Sequence, residues 1–128
     1  MDRSLYTGLI RLHLLHHAAE GPIFGQAMID ELARHGYRLS AGTLYPILHG
    51  MERQGYLRSR LTVSEGRNRR VYRATAAGRR ALVTARRRVA ELFGEMLEKE
   101  AKHHGVYRLE GKTYVVHDGD IMHILAST

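Results

Sequence analysis

Gly36-Tyr-Arg-Leu-Ser-Ala-Gly-Thr-Leu-Tyr-Pro-Ile-Leu-His-Gly-Met-Glu-Arg-Gln-Gly55 is the stretch around which the chain is organised. Within it Leu44, Ile47, Leu48 and Met51 recur at i, i+3, i+4 and i+7, which lays one apolar stripe along a short helix. Ser40 stands where an N-cap belongs and Gly55 where a helix stops. Thr43, Tyr45, His49 and Arg53 lie mostly off the stripe and are expected to face outward. One buried face, one hydrogen-bonding and cationic face, and a basic region after them suit a helix that enters a DNA major groove. Pro46 cannot donate to the carbonyl of Gly42, so an irregularity or kink is expected there.

Two helices are read upstream. Over residues 4–19, Leu5, Leu9, Leu12 and Leu15 follow helical spacing, and Ile10 and Leu14 widen the face enough to be buried on more than one side. Glu20-Gly21-Pro22 breaks that helix. A second helix is expected from Ile23 to His35, stopped by Gly36. Two short helices, a tight turn and a basic second helix make a helix-turn-helix. Downstream, Tyr56 to Val63 alternates, Ser64 to Arg70 reads as a turn, and Val71 to Ala74 as the return strand. That is a wing with Arg67, Arg69 and Arg70 at its tip, suited to phosphates or a narrow minor groove.

Thr75 can cap a long helix over residues 76–104. Leu82, Ala85, Val89, Leu92 and Met96 repeat with 3,4,3,4 spacing, and Phe93 and Leu97 broaden the seam. The remaining chain is too small to cover it, so a second copy is the natural partner. Leu5, Leu9, Leu12, Leu82, Ala85, Val89, Leu92, Phe93 and Met96 are the expected dimerisation residues. The tail shifts to a strand-like period, with turn signals at Glu110-Gly111 and Asp118-Gly119; a meander over 106–109, 113–117 and 121–125 is expected.

Charge is unevenly placed over the 128 residues. Residues 1–90 hold 16 arginines against 6 acids, whereas residues 91–128 hold 4 cations against 7 acids, so the front carries +10 and the back −3. Every cation before Lys99 is arginine, which forks onto phosphates and guanine edges. There is no cysteine, which removes disulfides, thiolate metal sites and cysteine nucleophiles. Neither a signal peptide nor a membrane span is read in residues 4–15, because Arg11 and His13 interrupt the apolar runs. Asp30-Glu31, Asp118 and Asp120 lack a convergent base or nucleophile, so no enzyme is expected.

The segments Gly36-Tyr37-x-Leu39-Ser40-x-Gly42-Thr43-Leu44-Tyr45-Pro46, Glu52-x-x-Gly55-Tyr56-Leu57 and Gly66-Arg67-x-Arg69-Arg70-x-Tyr72-x-x-Thr75-x-x-Gly78 resemble the PadR family of bacterial transcription regulators. The resemblance covers roughly residues 5–82. It implies a mainly α fold with a small β wing, a winged helix-turn-helix over residues 1–75 joined to a dimerisation helix over 76–104; the β-hairpin or meander tail over 105–128 departs from the family's pattern. The resemblance also implies a cytoplasmic homodimer, nucleoid-associated when bound, that represses from a pseudo-palindromic operator in double-stranded DNA and is released by an effector. No cofactor is expected. The DNA-binding residues would be Arg38, Ser40, Thr43, Tyr45, Pro46, His49, Arg67, Arg69 and Arg70.

From Glu110 to Ile124 the tail is similar to the closing strands of the TGS domain of Obg-like ATPases. No phosphate-binding Gly-x-x-x-x-Gly-Lys-Ser/Thr loop accompanies it, so the expected role is higher oligomerisation or partner binding. Two other readings stay open. One is a winged helix that binds protein without operator specificity, distinguished by weak salt dependence. The other is a histidine-based metal-responsive regulator: His13, His16 and His17 have helical spacing suited to a shared ion, and His103, His104, His117 and His123 could add ligands.

Overall fold

A computed structural model describes residues 2–104, 107–109 and 112–114, divided into one unit over residues 1–83 and a second over residues 84–128. The first unit opens with α1 (Arg3–Glu20), capped by the Asp2 carboxylate, which accepts from the amides of Ser4 at 3.0 Å and Leu5 at 3.3 Å. A bond from the Ser4 hydroxyl first, then those from the amides, holds the Asp2 carboxyl below its ordinary pKa. Ile10, Leu14, Leu15 and Ala18 form the buried stripe of α1.

The segment after Pro22 departs from expectation. Ile23 and Phe24 do not begin a helix; they form a short strand, β1 (Ile23–Phe24), and α2 runs only over Gly25–Arg34. A β-branched and an aromatic residue held behind proline suit an extended backbone. What recruits them is the open edge of a strand far along the chain, with Ile23 opposite Tyr72 and Phe24 opposite Val71.

The two glycine stops act as read. After α2, Tyr37 N–H donates to Leu32 O at 2.9 Å and Gly36 N–H to Ala33 O at 3.0 Å. After α3 (Ala41–Arg53), Tyr56 N–H donates to Met51 O at 3.0 Å and Gly55 N–H to Glu52 O at 2.9 Å. Both are Schellman closures, which satisfy the last carbonyls of each helix. Leu44, Leu48 and Met51 are buried as the stripe requires, and α3 runs continuously through Pro46.

The wing is longer and its turn tighter than expected. β2 (Leu57–Ser64) and β3 (Arg67–Ala74) pair antiparallel from Leu57↔Ala74 to Ser64↔Arg67. Only Glu65 and Gly66 are left to turn, with φ of 54° and 74°. Two successive positive φ values make the primed hairpin turn whose twist matches its strands. The basic run Arg67–Arg70 is therefore strand, because ladder pairing satisfies its backbone groups regardless of side-chain polarity. The sheet order is β1-β3-β2.

Thr75 joins the wing to α4 (Ala76–His104): its hydroxyl accepts from Gly78 N–H at 2.9 Å and donates to Gly55 O at 2.6 Å. Leu57, Tyr72 and Leu82 complete a core with the helical stripes of α1, α2 and α3. Leu82, expected at a dimer seam, is thus buried in its own unit, and Leu12 is partly buried against that core. In the second unit α4 carries Leu92 and Met96 exposed and Leu97 buried. There, β4 (Tyr107–Leu109) pairs antiparallel with β5 (Lys112–Tyr114). The expected strand over 121–125 lies outside the described residues. Among the described residues no helix is long and apolar enough to cross a membrane.

Candidate nucleic-acid interface

The exposed side of α3 begins at Ser40, the N-cap by backbone conformation. Its hydroxyl caps no amide and lies 3.4 Å from Thr43 Oγ1 instead. The first amides of α3 and the positive end of its dipole therefore lack an internal anion. Around them lies a cleft of about 580 Å³ lined by Arg3, Gly36, Arg38, Ser40 and Thr43. Arg3 Nη1 donates to Thr43 Oγ1 at 2.9 Å, so a cation from α1 stands at the start of α3. Sequence reading missed Arg3, because nothing in the pattern around it says where the first turn of α1 will lie. Two guanidinium groups, the first amides of the helix and hydroxyls are donors of the kind a phosphate oxygen accepts from.

Further along α3, Pro46, His49 and Arg53 are exposed. Tyr45 differs from the expected outward-facing side chain: it is half-buried and packs on the core. Its ring passes so close to the backbone at the start of α2 that a Cβ on Gly25 would lie 2.2 Å from the hydroxyl. The His49 ring sits 6.3 Å from the Tyr45 ring, so Tyr45 buttresses the exposed imidazole.

Register redistributes the wing cations. Alternation puts Arg58, Arg60, Arg67, Arg69 and Arg73 on one face of the β2–β3 ribbon and Leu57, Ser59, Leu61, Val63, Arg70 and Tyr72 on the other. Arg67, Arg69 and Arg70 accordingly do not form one cationic tip. Arg67 flanks the turn and is exposed; Arg69 lies over the Phe24 ring at 6.0 Å and 3.7 Å from Glu65. Arg70 points to the opposite face and donates to Ser59 Oγ at 3.1 Å. Arg58, Arg60 and Arg73, which sequence reading left out of the site, are exposed on the arginine face. Period-two alternation alone would have found them once the turn was confined to Glu65-Gly66.

A carboxylate ties this ribbon to α3. Glu52 accepts from Ser59 N–H at 2.9 Å and from the Ser59 hydroxyl at 2.7 Å. The hydroxyl bond first, with the amide bond and the Arg70 charge added, lowers the Glu52 pKa against the opposing effect of burial. The Tyr72 hydroxyl, buried with no hydrogen-bond partner, has its pKa raised by that burial and then by the Glu52 charge.

Histidines gather where α1 meets α2. The His13 and His35 rings stack at 4.8 Å, and burial, then His35, His17 and His16, push the His13 pKa down. Glu31 faces His35 Nε2 at 3.4 Å and Arg34 Nη1 at 2.6 Å; burial raises its pKa, but these partners and His17 outweigh it and lower it. The side chains of His103, His104, His117 and His123 lie outside the described residues.

The family model described as the transcriptional regulator PadR-like family matches residues 14–84. A second model, for a GTPase C-terminal family of unknown function (DUF933), matches residues 79–127. The chain is 53% identical over 95 residues to the transcriptional regulator Rv3488 of Mycobacterium tuberculosis, covering 74% of this chain and 89% of that protein. Among solved structures it resembles a PadR family transcriptional regulator from Eggerthella lenta at 31% identity and a TM-score of 0.60, covering 77% of this chain and 84% of the other. A transcriptional regulator from Thermoplasma acidophilum matches at 27% identity and a TM-score of 0.65, covering 77% and 94%.

Proposed function

This chain belongs to the PadR-like family of transcriptional regulators, and from that premise we propose that it is a cytoplasmic homodimeric repressor binding a pseudo-palindromic operator. The observation that carries the reading is the concentration of cations around α3: Arg3 and Arg38 at its N-terminal cleft and five arginines on one face of the adjoining wing. In the proposed complex α3 enters the major groove. Arg38, Ser40 and Thr43 hold a phosphate at its start, while Pro46 and His49 face the bases over Tyr45. Arg67 and Arg69 reach the flanking backbone, and Arg70 orients Ser59 rather than DNA. A dimer sets two such helices about one helical turn apart on the duplex.

The exposed apolar side chains support the dimer. Leu5 and Leu9 on α1 are 69% and 44% exposed, and Leu92 and Met96 on α4 are 59% and 60% exposed. Large apolar side chains exposed to this degree in the single chain mark a surface that a partner covers. Ala85, Val89 and Phe93 flank the α4 residues and complete the proposed interface. Residues 1–75 then serve as the DNA-binding domain, 76–104 as the dimerisation helix, and the 105–128 tail as a site of further assembly. An effector releases the operator only by binding one separation of the two recognition helices better than another.

Fluorescence anisotropy with DNA upstream of the protein's own gene, beside a shuffled duplex at two salt concentrations, tests the proposal. Specific binding should weaken steeply with salt, by about 0.9 in log–log slope per phosphate contacted. Weak, equal and salt-insensitive binding to both duplexes would point instead to a protein-interaction module.

A further inference from the structure

We infer that His16, His17 and Glu20, in the last turn of α1, form a binding site for one divalent transition-metal ion of the zinc class. One ligand atom from each residue lies within 4.8 Å of the other two. The spacing explains the convergence. On a helix Glu20 is i+4 from His16 and i+3 from His17, so its carboxylate falls between the two rings. Those rings lie 5.1 Å apart, centre to centre. Ligands about 2.1 Å from a tetrahedral zinc sit roughly 3.4 Å from one another. Closing from 4.8 Å to that separation takes only rotamer adjustment, and the His16 and Glu20 side chains, 43% and 65% exposed, have room for it.

Three further features favour a cation. Two imidazoles and one carboxylate are a donor set suited to zinc, cobalt and nickel and ill suited to calcium or magnesium. The site lies at the C-terminal, negative end of the α1 dipole, one residue before the Gly21 that ends the helix. From the neighbouring helix, Glu31 Oε1 lies 3.6 Å from His17 Nε2, where an outer carboxylate can orient a ligating imidazole and raise its basicity. An ordinary i,i+4 ion pair accounts for His16 and Glu20, whose Nε2 and Oε1 are 2.8 Å apart. His17 has a separate, longer contact with a carboxylate on α2, Glu31 Oε1 at 3.6 Å, so the two pairs together place two imidazoles between carboxylates from two helices.

Binding would replace the His16–Glu20 hydrogen bond with two metal bonds and release any proton the imidazoles carry. It would also brace the end of α1 against α2, the first helix of the helix-turn-helix. This site stands independently of the operator reading.

The test uses the full-length chain, stripped by a chelator and titrated with Zn²⁺ in competition with a fluorescent indicator. A parallel Co²⁺ titration is read by visible absorption. One ion per chain is expected, with a submicromolar Kd and an intense Co²⁺ band of a four-coordinate nitrogen–oxygen site. His16→Gln and His17→Gln should each weaken binding on the order of 100-fold and bleach that band. Far-UV circular dichroism verifies that each variant keeps its helices. Long-range ¹H–¹⁵N spectra of the unaltered protein identify the ligating rings without any variant. Failure to bind Zn²⁺ at tens of micromolar overturns the inference, as do unchanged affinity in the double variant or shifts confined to other histidines.

Discussion

Gly78→Ala should destabilise the protein by about 2–4 kcal/mol, although alanine is the better helix former. Gly78 lies in the first turn of α4, against the backbone at the start of β2. A Cβ there would sit 2.2 Å from the Tyr56 carbonyl oxygen, 3.0 Å from its carbon and 3.2 Å from Leu15 Cδ1. The oxygen cannot swing aside, because it already accepts from Thr75 N–H at 3.0 Å. To restore ordinary contact the start of α4 must retreat by about 1 Å. Retreat strains both the Thr75–Tyr56 bond and the bond from the Thr75 hydroxyl to Gly55 O. Overpacking costs about 1–3 kcal/mol, and each lost hydrogen bond about 1 kcal/mol. Alanine's helix propensity offsets about 1 kcal/mol. Urea unfolding at fixed protein concentration reads the result. With an m-value of about 1–3 kcal/mol per molar, a 3 kcal/mol loss lowers the midpoint by roughly 1–3 M. Gly50→Ala is the control, since its Cβ would meet only the tip of Arg53 at 3.8 Å. It should be neutral or stabilising by up to about 1 kcal/mol. A Gly78→Ala midpoint at or above the wild-type value refutes the close-approach argument.

Four other variants probe the rest of the structure. The Glu52 pKa is depressed by folding, so its contribution is present above the unfolded-state pKa and is lost as pH falls through the folded-state value. Glu52→Gln should cost about 1 kcal/mol at neutral pH and progressively less in acid, read as the gap between urea midpoints; a gap independent of pH would falsify the ionic origin. Leu92→Glu with Met96→Glu should yield a monomer in sedimentation velocity and abolish operator binding, and a persistent dimer would remove this face from the interface. Arg67→Ala should weaken binding to every duplex alike and flatten the salt slope by about one unit, whereas Arg70→Ala should lower stability with little change in slope.

Most of the fold was legible because its signals are local. The stripe of α3, the stops at Gly36 and Gly55 and the Thr75 cap each depend on neighbours within a turn or two. What escaped was set at a distance. Nothing near Ile23 and Phe24 announces a strand, since the ladder that makes them one lies at Val71 and Tyr72. The turn was overdrawn because Arg67 to Arg70 looks like solvated loop. The ladder instead satisfies its backbone, and the arginine face emerges only with the register. Arg3 and the reorientation of Tyr45 are likewise tertiary, the first set by where α1 begins and the second by the missing side chain at Gly25. The spacing of His16, His17 and Glu20 on α1 is local and visible in the sequence; that Glu31 of α2 stands beside His17 is tertiary.

The pairing of β1 with β3 also bears on how the protein is made. The three helices that precede the wing leave the ribosome first, yet their core includes Leu57 and Tyr72, and β1 has no ladder until β3 exists. A nascent chain ending within β2 holds the whole of α3 but lacks the aromatic residue, Tyr72, that closes the core behind it. Such non-local closure slows folding, because the loop entropy must be met before the contacts form. Truncated products of synthesis are therefore left without a closed core and should be cleared by proteolysis before they can compete with the finished protein for its partners.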